Sequence, residues 1–176
     1  MAPYENLYII NIMEKYHLVV RKIINLLKNN SMWFETFEHE EVKTSEEAAK
    51  VRTGYTLHQG AKAIIIRVKN NETDKRFVML VFPADLRFDN KKIKSLLNVK
   101  DIRFATEEEV EEITEGIKPG GVPPMGQLFD LEVLADETLF TLEKIIFNAG
   151  DRRFSIAMNA EDYKRLVNPK IVSFTI

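Results

Sequence analysis

Three of the chain's seven glycines and three of its six prolines fall in nine residues, Lys118-Pro119-Gly120-Gly121-Val122-Pro123-Pro124-Met125-Gly126. Glycine tolerates positive φ and lets another group approach the backbone, whereas proline fixes φ and removes an N–H donor. A loop so constrained presents a few backbone N–H groups in a set direction. That conformation is too costly for a casual linker, so the question is which residues face it.

The rest of the chain reads as alternating elements around that loop. From Tyr4 to Lys28 apolar residues recur at helical spacing, with Leu7, Ile10, Met13, Val20, Ile23, Ile24 and Leu27 on one side, and the run closes at Asn29-Asn30. Trp33 to Phe37 alternates as a strand. Thr44 and Glu47 form a capping-box pattern that predicts a short helix over Ala48 to Arg52, ended by Gly54. Ala63 to Val68 and Phe77 to Phe82 are β-branched and apolar, and the turn residues Asn70 to Asp74 between them predict a hairpin. Helices follow over Lys91 to Leu97 and over Thr106 to Glu115, the second opened by a Thr106/Glu109 capping box and stopped by Gly116. Beyond the loop, strands are predicted at Phe129 to Leu134, Lys144 to Phe147 and Phe154 to Met158. A helix capped by Asn159 and halted by Pro169 precedes a last strand at Ile171 to Phe174. Strands outnumber helices and short turns join them. The class is α+β, one domain with a largely antiparallel sheet. Residues 1–16 read as a helical extension and residues 17–176 as the domain proper.

A chain of 176 residues with 45% hydrophobic and 30% charged residues suits one soluble globular domain. Its 25 basic and 27 acidic residues give a formal charge of −2, which argues against gripping nucleic acid by bulk electrostatics alone. The absence of cysteine excludes disulfides, thiolate metal sites and thiol nucleophiles. The start of the chain lacks the pattern of a signal peptide, and the apolar run Leu7 to Ile12 is too short to cross a membrane. A soluble cytoplasmic protein is expected.

Several familiar catalytic motifs are missing. His39-Glu40-Glu41-Val42-Lys43 begins like a zinc-protease helix but has Lys43 where the second histidine belongs. The Gly/Pro loop is no Walker loop and no dinucleotide fingerprint, and there is no Gly-x-Ser-x-Gly elbow. His17, His39 and His58 lack metal-ligand spacing and are expected at surfaces or edges, so no metal and no cofactor is expected. Lys62 opens the most apolar strand. It either snorkels to solvent or projects into a cleft with a shifted pKa. Asn148-Ala149-Gly150 is either turn chemistry or an amide placed to fix a ligand's amino or carbonyl group. Asp136-Glu137 reads as a solvated turn or helix start before it reads as a carboxylate pair.

Taken in order, these pieces resemble the YbaK/ProX family, the aminoacyl-tRNA deacylases related to the editing domain inserted in bacterial prolyl-tRNA synthetases. The matching residues begin with Phe37-Glu38-His39-Glu40, Ala48-Ala49, Lys62-Ala63-Ile64-Ile65-Ile66 and Val81-Phe82-Pro83-Ala84. They continue through Gly120-x-x-x-Pro124-x-Gly126, Asp136-Glu137, Asn148-Ala149-Gly150 and the helix Asp162 to Val167. They span residues 17 to 175.

The resemblance implies a compact fold with a curved, largely antiparallel, barrel-like sheet and peripheral helices, and a small pocket flanked by Lys62 and the Gly120–Gly126 loop. It also implies hydrolysis of the ester between a wrong amino acid and the 3′ end of a tRNA. Such an ester is already activated, so a placed water and stabilisation of the tetrahedral oxyanion suffice. The backbone N–H groups of Gly120 and Gly121 are the implied oxyanion donors, worth about 3 kcal/mol for each good donor. Lys62 would hold the terminal phosphate or ribose, or polarise the carbonyl. Pro124, Gly126, Asn148 and Gly150 would line the substrate, with Asn148 on its α-amino group. Lys118, Arg152 and Arg153, with Lys43 and Arg52, are candidates for the acceptor end. The partners implied are a mischarged tRNA carrying Ala, Cys, Ser or Pro and, for capture, an aminoacyl-tRNA synthetase. A non-catalytic tRNA- or synthetase-binding adaptor of the same fold is the alternative, and an N-terminal helix that docks a protein partner is a third.

Overall fold

The β-branched stretches at Ala63–Val68 and Phe77–Phe82 form the centre of the molecule. They pair antiparallel over nine residues each, from Ala61↔Pro83 to Lys69↔Lys75. The turn between them is closed by Asn71, whose Oδ1 accepts from the backbone N–H groups of Thr73 and Asp74. The computed structural model describes residues 3–176, without the side chains of residues 3–6, 9 and 13. Met1 and Ala2 of the expected extension, and the side chain of Met13 in the expected apolar stripe, therefore lie outside the described residues.

In chain order the elements are α1 (Pro3–Lys15), α2 (Leu18–Asn29), β1 (Phe34–Glu38), α3 (Ser45–Val51), β2 (Ala61–Lys69), β3 (Lys75–Pro83) and α4 (Asn90–Leu97). Then come β4 (Asp101–Phe104), α5 (Glu107–Thr114), β5 (Glu132–Asp136), β6 (Lys144–Asp151), β7 (Phe154–Asn159), α6 (Ala160–Val167) and β8 (Lys170–Val172). The α+β class holds, but the strands make two open sheets rather than one barrel-like surface. One has the order β1-β7-β6 and the other β4-β2-β3-β5-β8. Most pairs are antiparallel, while β3–β5 and β5–β8 are parallel. A single parallel bridge, Gly60↔Ile146, joins the sheets.

Strict alternation along the central strands makes the larger sheet a wall buried on both sides. Ile65, Met79, Val81, Val133 and Ala135 face the main core, where they meet β6, β7 and the buried side of α2. Ile66, Val78, Leu80, Phe82 and Leu134 face a second core under α4 with Ile93 and Phe174. Burial on both sides explains why Phe77–Phe82 is continuously apolar instead of alternating.

Three expectations are corrected. The helical run from Tyr4 to Lys28 is broken into two helices, because His17 leaves helical geometry and caps α2: its Nδ1 accepts from Val19 N–H and its Nε2–H donates to the Glu115 carbonyl, 3.0 Å away. Ile12 and Tyr16, at the end of α1 and just after it, are buried in the main core. β4, absent from the sequence reading, pairs with β2 through Ile66↔Phe104 to Lys69↔Asp101. Finally, β6 continues past Phe147 to Asp151 through a bulge, so Asn148 sits in a strand and not in a turn after it. Both predicted capping boxes, at Thr44/Glu47 and Thr106/Glu109, are present. Among the described residues no helix is long and apolar enough to cross a membrane.

Asp136 is a structural carboxylate. Its Oδ2 accepts from the backbone N–H groups of Phe174 at 2.7 Å and Thr175 at 2.8 Å, and its Oδ1 from Thr138. Burial opposes its charge, but these donors outweigh burial and hold its pKa below the ordinary carboxylate range. It thereby fastens the C-terminal strand region to β5 and closes the second core over Phe174. Asp136→Ala would leave two buried N–H groups without an acceptor and cost about 3 kcal/mol. The expected outcome is a lower urea midpoint at unchanged slope.

Candidate functional site

Where β2 and β6 part beyond the Gly60↔Ile146 bridge, the two sheets leave a cleft of about 240 Å³. Its floor is the start of β2 (Gly60 to Ile64) with Ala84. One wall is α3 and the segment before it (Lys43, Thr44, Ser45, Ala48, Arg52), and the other is Gly120, Val122 and Asn148. The capping box that starts α3 and the Pro/Gly content of the loop therefore fix the two sides.

Lys62 enters this cleft. Its Nζ lies 3.5 Å from the Ala84 carbonyl oxygen and 5.0 Å from the centre of the Phe82 ring. Burial is the main influence on its pKa, which it lowers; Glu46 and Asp85 pull the other way and Arg87 adds to the lowering.

Opposite Lys62, the backbone makes a tight turn. Pro119 and Gly120 occupy its central positions, Gly120 with φ +87°, and the Gly121 N–H closes it on the Lys118 carbonyl at 2.9 Å. Only a residue at ease with positive φ fits at Gly120. The closing bond commits the Gly121 N–H within the turn, so of the two expected donors only Gly120 borders the cleft. Gly121 faces the other way: its carbonyl accepts from Gly150 N–H at 2.8 Å.

Behind the cleft lies a polar network that the motif reading did not assemble. Arg52, only 7% exposed, donates from Nε to Ser155 Oγ (3.0 Å) and from Nη2 to Asn148 Oδ1 (2.8 Å). Asn148 Nδ2 donates to the Gly120 carbonyl at 2.6 Å. His39 completes the set, with Nδ1 2.7 Å from the Glu40 carbonyl and Nε2 2.8 Å from Ser155 Oγ. A carbonyl only accepts, so Nδ1 carries a proton. Burial, together with the Arg52 charge, lowers the His39 pKa against smaller opposing influences, which leaves the ring neutral with Nε2 as acceptor. Ser155 Oγ accepts from Arg52, and its single proton faces two acceptors, His39 Nε2 at 2.8 Å and Asn148 Oδ1 at 3.1 Å. Cross-strand pairing Asn148↔Ser155 brings two of these side chains together. His39, expected at a surface or an edge, is half-buried just after the edge strand β1 and joins this network from there. Its position just after β1, next to Ser155 on β7, was not legible from its own neighbours in sequence.

The remaining predicted site residues fall elsewhere. Pro124 and Gly126 are buried: the Pro124 carbonyl accepts from Tyr163 Oη at 2.7 Å, and a side chain at Gly126 would collide with Val133 and the Leu131 carbonyl. Lys118, Gly121, Gly150, Arg152 and Arg153 border a second hollow on the far side of the loop. Their charges are engaged there: Lys118 with Glu111, Arg152 with Glu41 and the Pro119 carbonyl, Arg153 with Asp151. Of the five basic candidates, only Lys43 and Arg52 reach the cleft beside Lys62.

The neutral state of His39 has a measurable consequence. Its folded pKa lies below the ordinary 6.5, so as pH falls through that window the unfolded chain takes up a proton that the folded chain refuses, and stability drops. The urea midpoint should be lower at about pH 5.5 than at about pH 7.5, and His39→Gln should shrink that difference. Carboxylates such as Glu38 and Asp151, also lowered, act at more acid pH.

Residues 39–166 match the sequence pattern of a family described as the aminoacyl-tRNA editing domain. The chain is 32% identical over 163 residues to the multifunctional Ser/Thr-tRNA deacylase ProXp-y of Escherichia coli strain K12, covering 92% of this chain and 96% of that one. It is 37% identical over 95 residues to a proline–tRNA ligase of Bacillus licheniformis, where the match spans 54% of this chain and 15% of the ligase. Among solved structures, one described as a candidate trans-editing enzyme for prolyl tRNA synthetase superposes with a TM-score of 0.75 at 22% identity, over 92% of this chain and 99% of the other. The hypothetical protein APE2540 superposes with a TM-score of 0.76 at 20% identity, over 88% and 99%. At these identities the two structures speak for the fold.

Proposed function

The chain belongs to the aminoacyl-tRNA editing domain family, and we propose that it works as a free-standing deacylase that hydrolyses the ester of a mischarged tRNA carrying a small amino acid. The observation that carries this reading is the cleft itself: it sets the Lys62 ammonium and the Gly120 turn on facing sides of a space sized for an aminoacyl group. The substrates to consider first are serine and threonine esters, those of the 32% identical relative, followed by alanine, cysteine and proline.

In this scheme the body of the tRNA stays outside and its terminal aminoacyl-adenosine enters. A water molecule attacks the ester carbonyl carbon, the carbonyl oxygen takes up negative charge, and the bond to the ribose oxygen breaks. The proton lost by water ends on that ribose oxygen, giving free amino acid and free tRNA. Lys62, half-buried at the cleft, holds the terminal phosphate or ribose. Gly120, fixed by its turn and by Asn148, directs backbone at the reacting carbonyl. A water nucleophile suits a site in which Ser155 is wholly buried behind Arg52 and Ser45, on the cleft wall, has no histidine hydrogen-bonded to it among the described residues.

A panel of tRNAs mischarged with Ser, Thr, Ala, Cys and Pro tests the proposal. One or two esters should be hydrolysed well above the uncatalysed rate. Lys62→Ala, which loses a partly exposed side chain at a strand start, should keep the wild-type melting temperature. It should lower kcat/KM by about 100-fold. Full activity in folded Lys62→Ala would remove that residue from the mechanism. Failure to hydrolyse any ester while still binding tRNA would point to the adaptor.

A further inference from the structure

Arg52 is a cation buried without an anion. Among the described residues no carboxylate lies within ion-pair distance of it, and its donors reach only neutral oxygens, on Ser155 and Asn148. Burial alone pulls its pKa down, to about 10, which still leaves it charged at neutral pH. A buried charge left unpaired is costly, and most folds would supply a carboxylate. Here none of the described carboxylates takes that place.

The guanidinium is also aimed. Nε and Nη2 are held by their two partners, which fixes the plane of the fork. Nη1 has no partner among the described residues, yet it is not sealed in. The one buried side-chain nitrogen or oxygen there that lacks both solvent and partner is Nε of Arg67. Arg52 lines the cleft, and its Nη1 is 3.8 Å from where a Cβ on Gly60 would sit, at the floor between Ala84 and the loop wall. Through Asn148 the same guanidinium is one side chain away from the Gly120 carbonyl.

We propose that Arg52 is a catalytic residue, its Nη1–H binding the ester carbonyl oxygen and the negative charge that oxygen gains in the tetrahedral intermediate. The assignment rests on the deacylase reading of the cleft. With Gly121 N–H committed to its turn, the loop alone does not make a two-donor oxyanion hole, and Arg52 supplies the missing donor together with a full charge. The substrate's α-ammonium group is repelled from it. The terminal phosphate is too distant from the reacting carbon to share its position and stays with Lys62. A preorganised, water-poor cation with no counter-charge is strongest where charge appears only during reaction.

The test uses wild type, Arg52→Lys, Arg52→Gln and Arg52→Ala on tRNAs charged with serine and with alanine, and on seryl-adenosine, which has no phosphate. Folding is checked by melting temperature. Arg52→Lys keeps the charge and the packed methylenes and carries the test should the smaller variants unfold. Expected is a fall in kcat of about 100-fold with KM changed by less than about 3-fold. The fall should be alike for both amino acids and undiminished on seryl-adenosine, and millimolar guanidinium should partly restore kcat to folded Arg52→Ala. Wild-type kcat in a folded variant overturns the proposal. So does a loss confined to the serine ester, which would mean side-chain recognition, or a loss that vanishes on seryl-adenosine, which would mean a phosphate contact. An inactive wild type removes the deacylase reading first, and this proposal with it.

Discussion

The Arg52 fork is the tie on which the site depends. It joins the end of α3 to β7 through Ser155 and to β6 through Asn148, and Asn148 passes the connection on to the Gly120 turn. A single side chain thus ties α3 to both β6 and β7, and through Asn148 to the loop. Lysine could not replace it: one ammonium on a flexible stem cannot satisfy two partners at fixed angles while leaving a third edge free. Because the charge is buried, each of these bonds is also stronger than at the surface, and each is costlier to lose.

The two-sheet architecture explains why a cleft exists there at all. The larger sheet is apolar on both faces and must be covered on both; the smaller sheet with α1 and α2 covers one face, α4 and the C-terminus the other. The sheets join at one bridge, Gly60↔Ile146, and separate on either side of it. Lys62 lies two residues after that bridge on β2, and Asn148 two residues after it on β6. Their side chains therefore reach the gap without leaving their strands. A site built on strand ends inherits the rigidity of the sheet, which a loop could not provide by itself.

Much of this was legible in the sequence, for physical reasons that differ from element to element. The β2–β3 hairpin, α4, α5 and both capping boxes are local: a few adjacent residues encode them, and their boundaries fall within a residue or two of expectation. The turn at Lys118–Gly121 is local too. What the sequence hid are features that need a distant partner. The break between α1 and α2 is made by a histidine that caps across to Glu115, ninety-eight residues away. β4, with just two apolar residues in four, is a strand because β2 offers an edge. The partnership of His39, Arg52, Asn148 and Ser155 arises from strand register, and nothing in their spacing announces it. Arg52 was visible only as one of five basic candidates for the acceptor end, although it is among the least exposed polar side chains of the described residues.

Charge placement gives the last link between chain and activity. The protein is acidic overall, and Lys118, Arg152 and Arg153, which the sequence offered as contacts for nucleic acid, are engaged by Glu111, Glu41 and Asp151. Long-range attraction for a polyanion is therefore weak. The cleft carries positive charge of its own, in Lys62 and Arg52, where partial or full burial strengthens its interaction with a group that enters. On the deacylase reading, this arrangement puts discrimination in the last nucleotide and its amino acid and leaves the tRNA body loosely held. A mischarged end is sampled and hydrolysed if it fits, while a correctly charged tRNA leaves quickly. Tighter binding of the tRNA body would hold right and wrong substrates equally. It would raise affinity without adding to the difference between them.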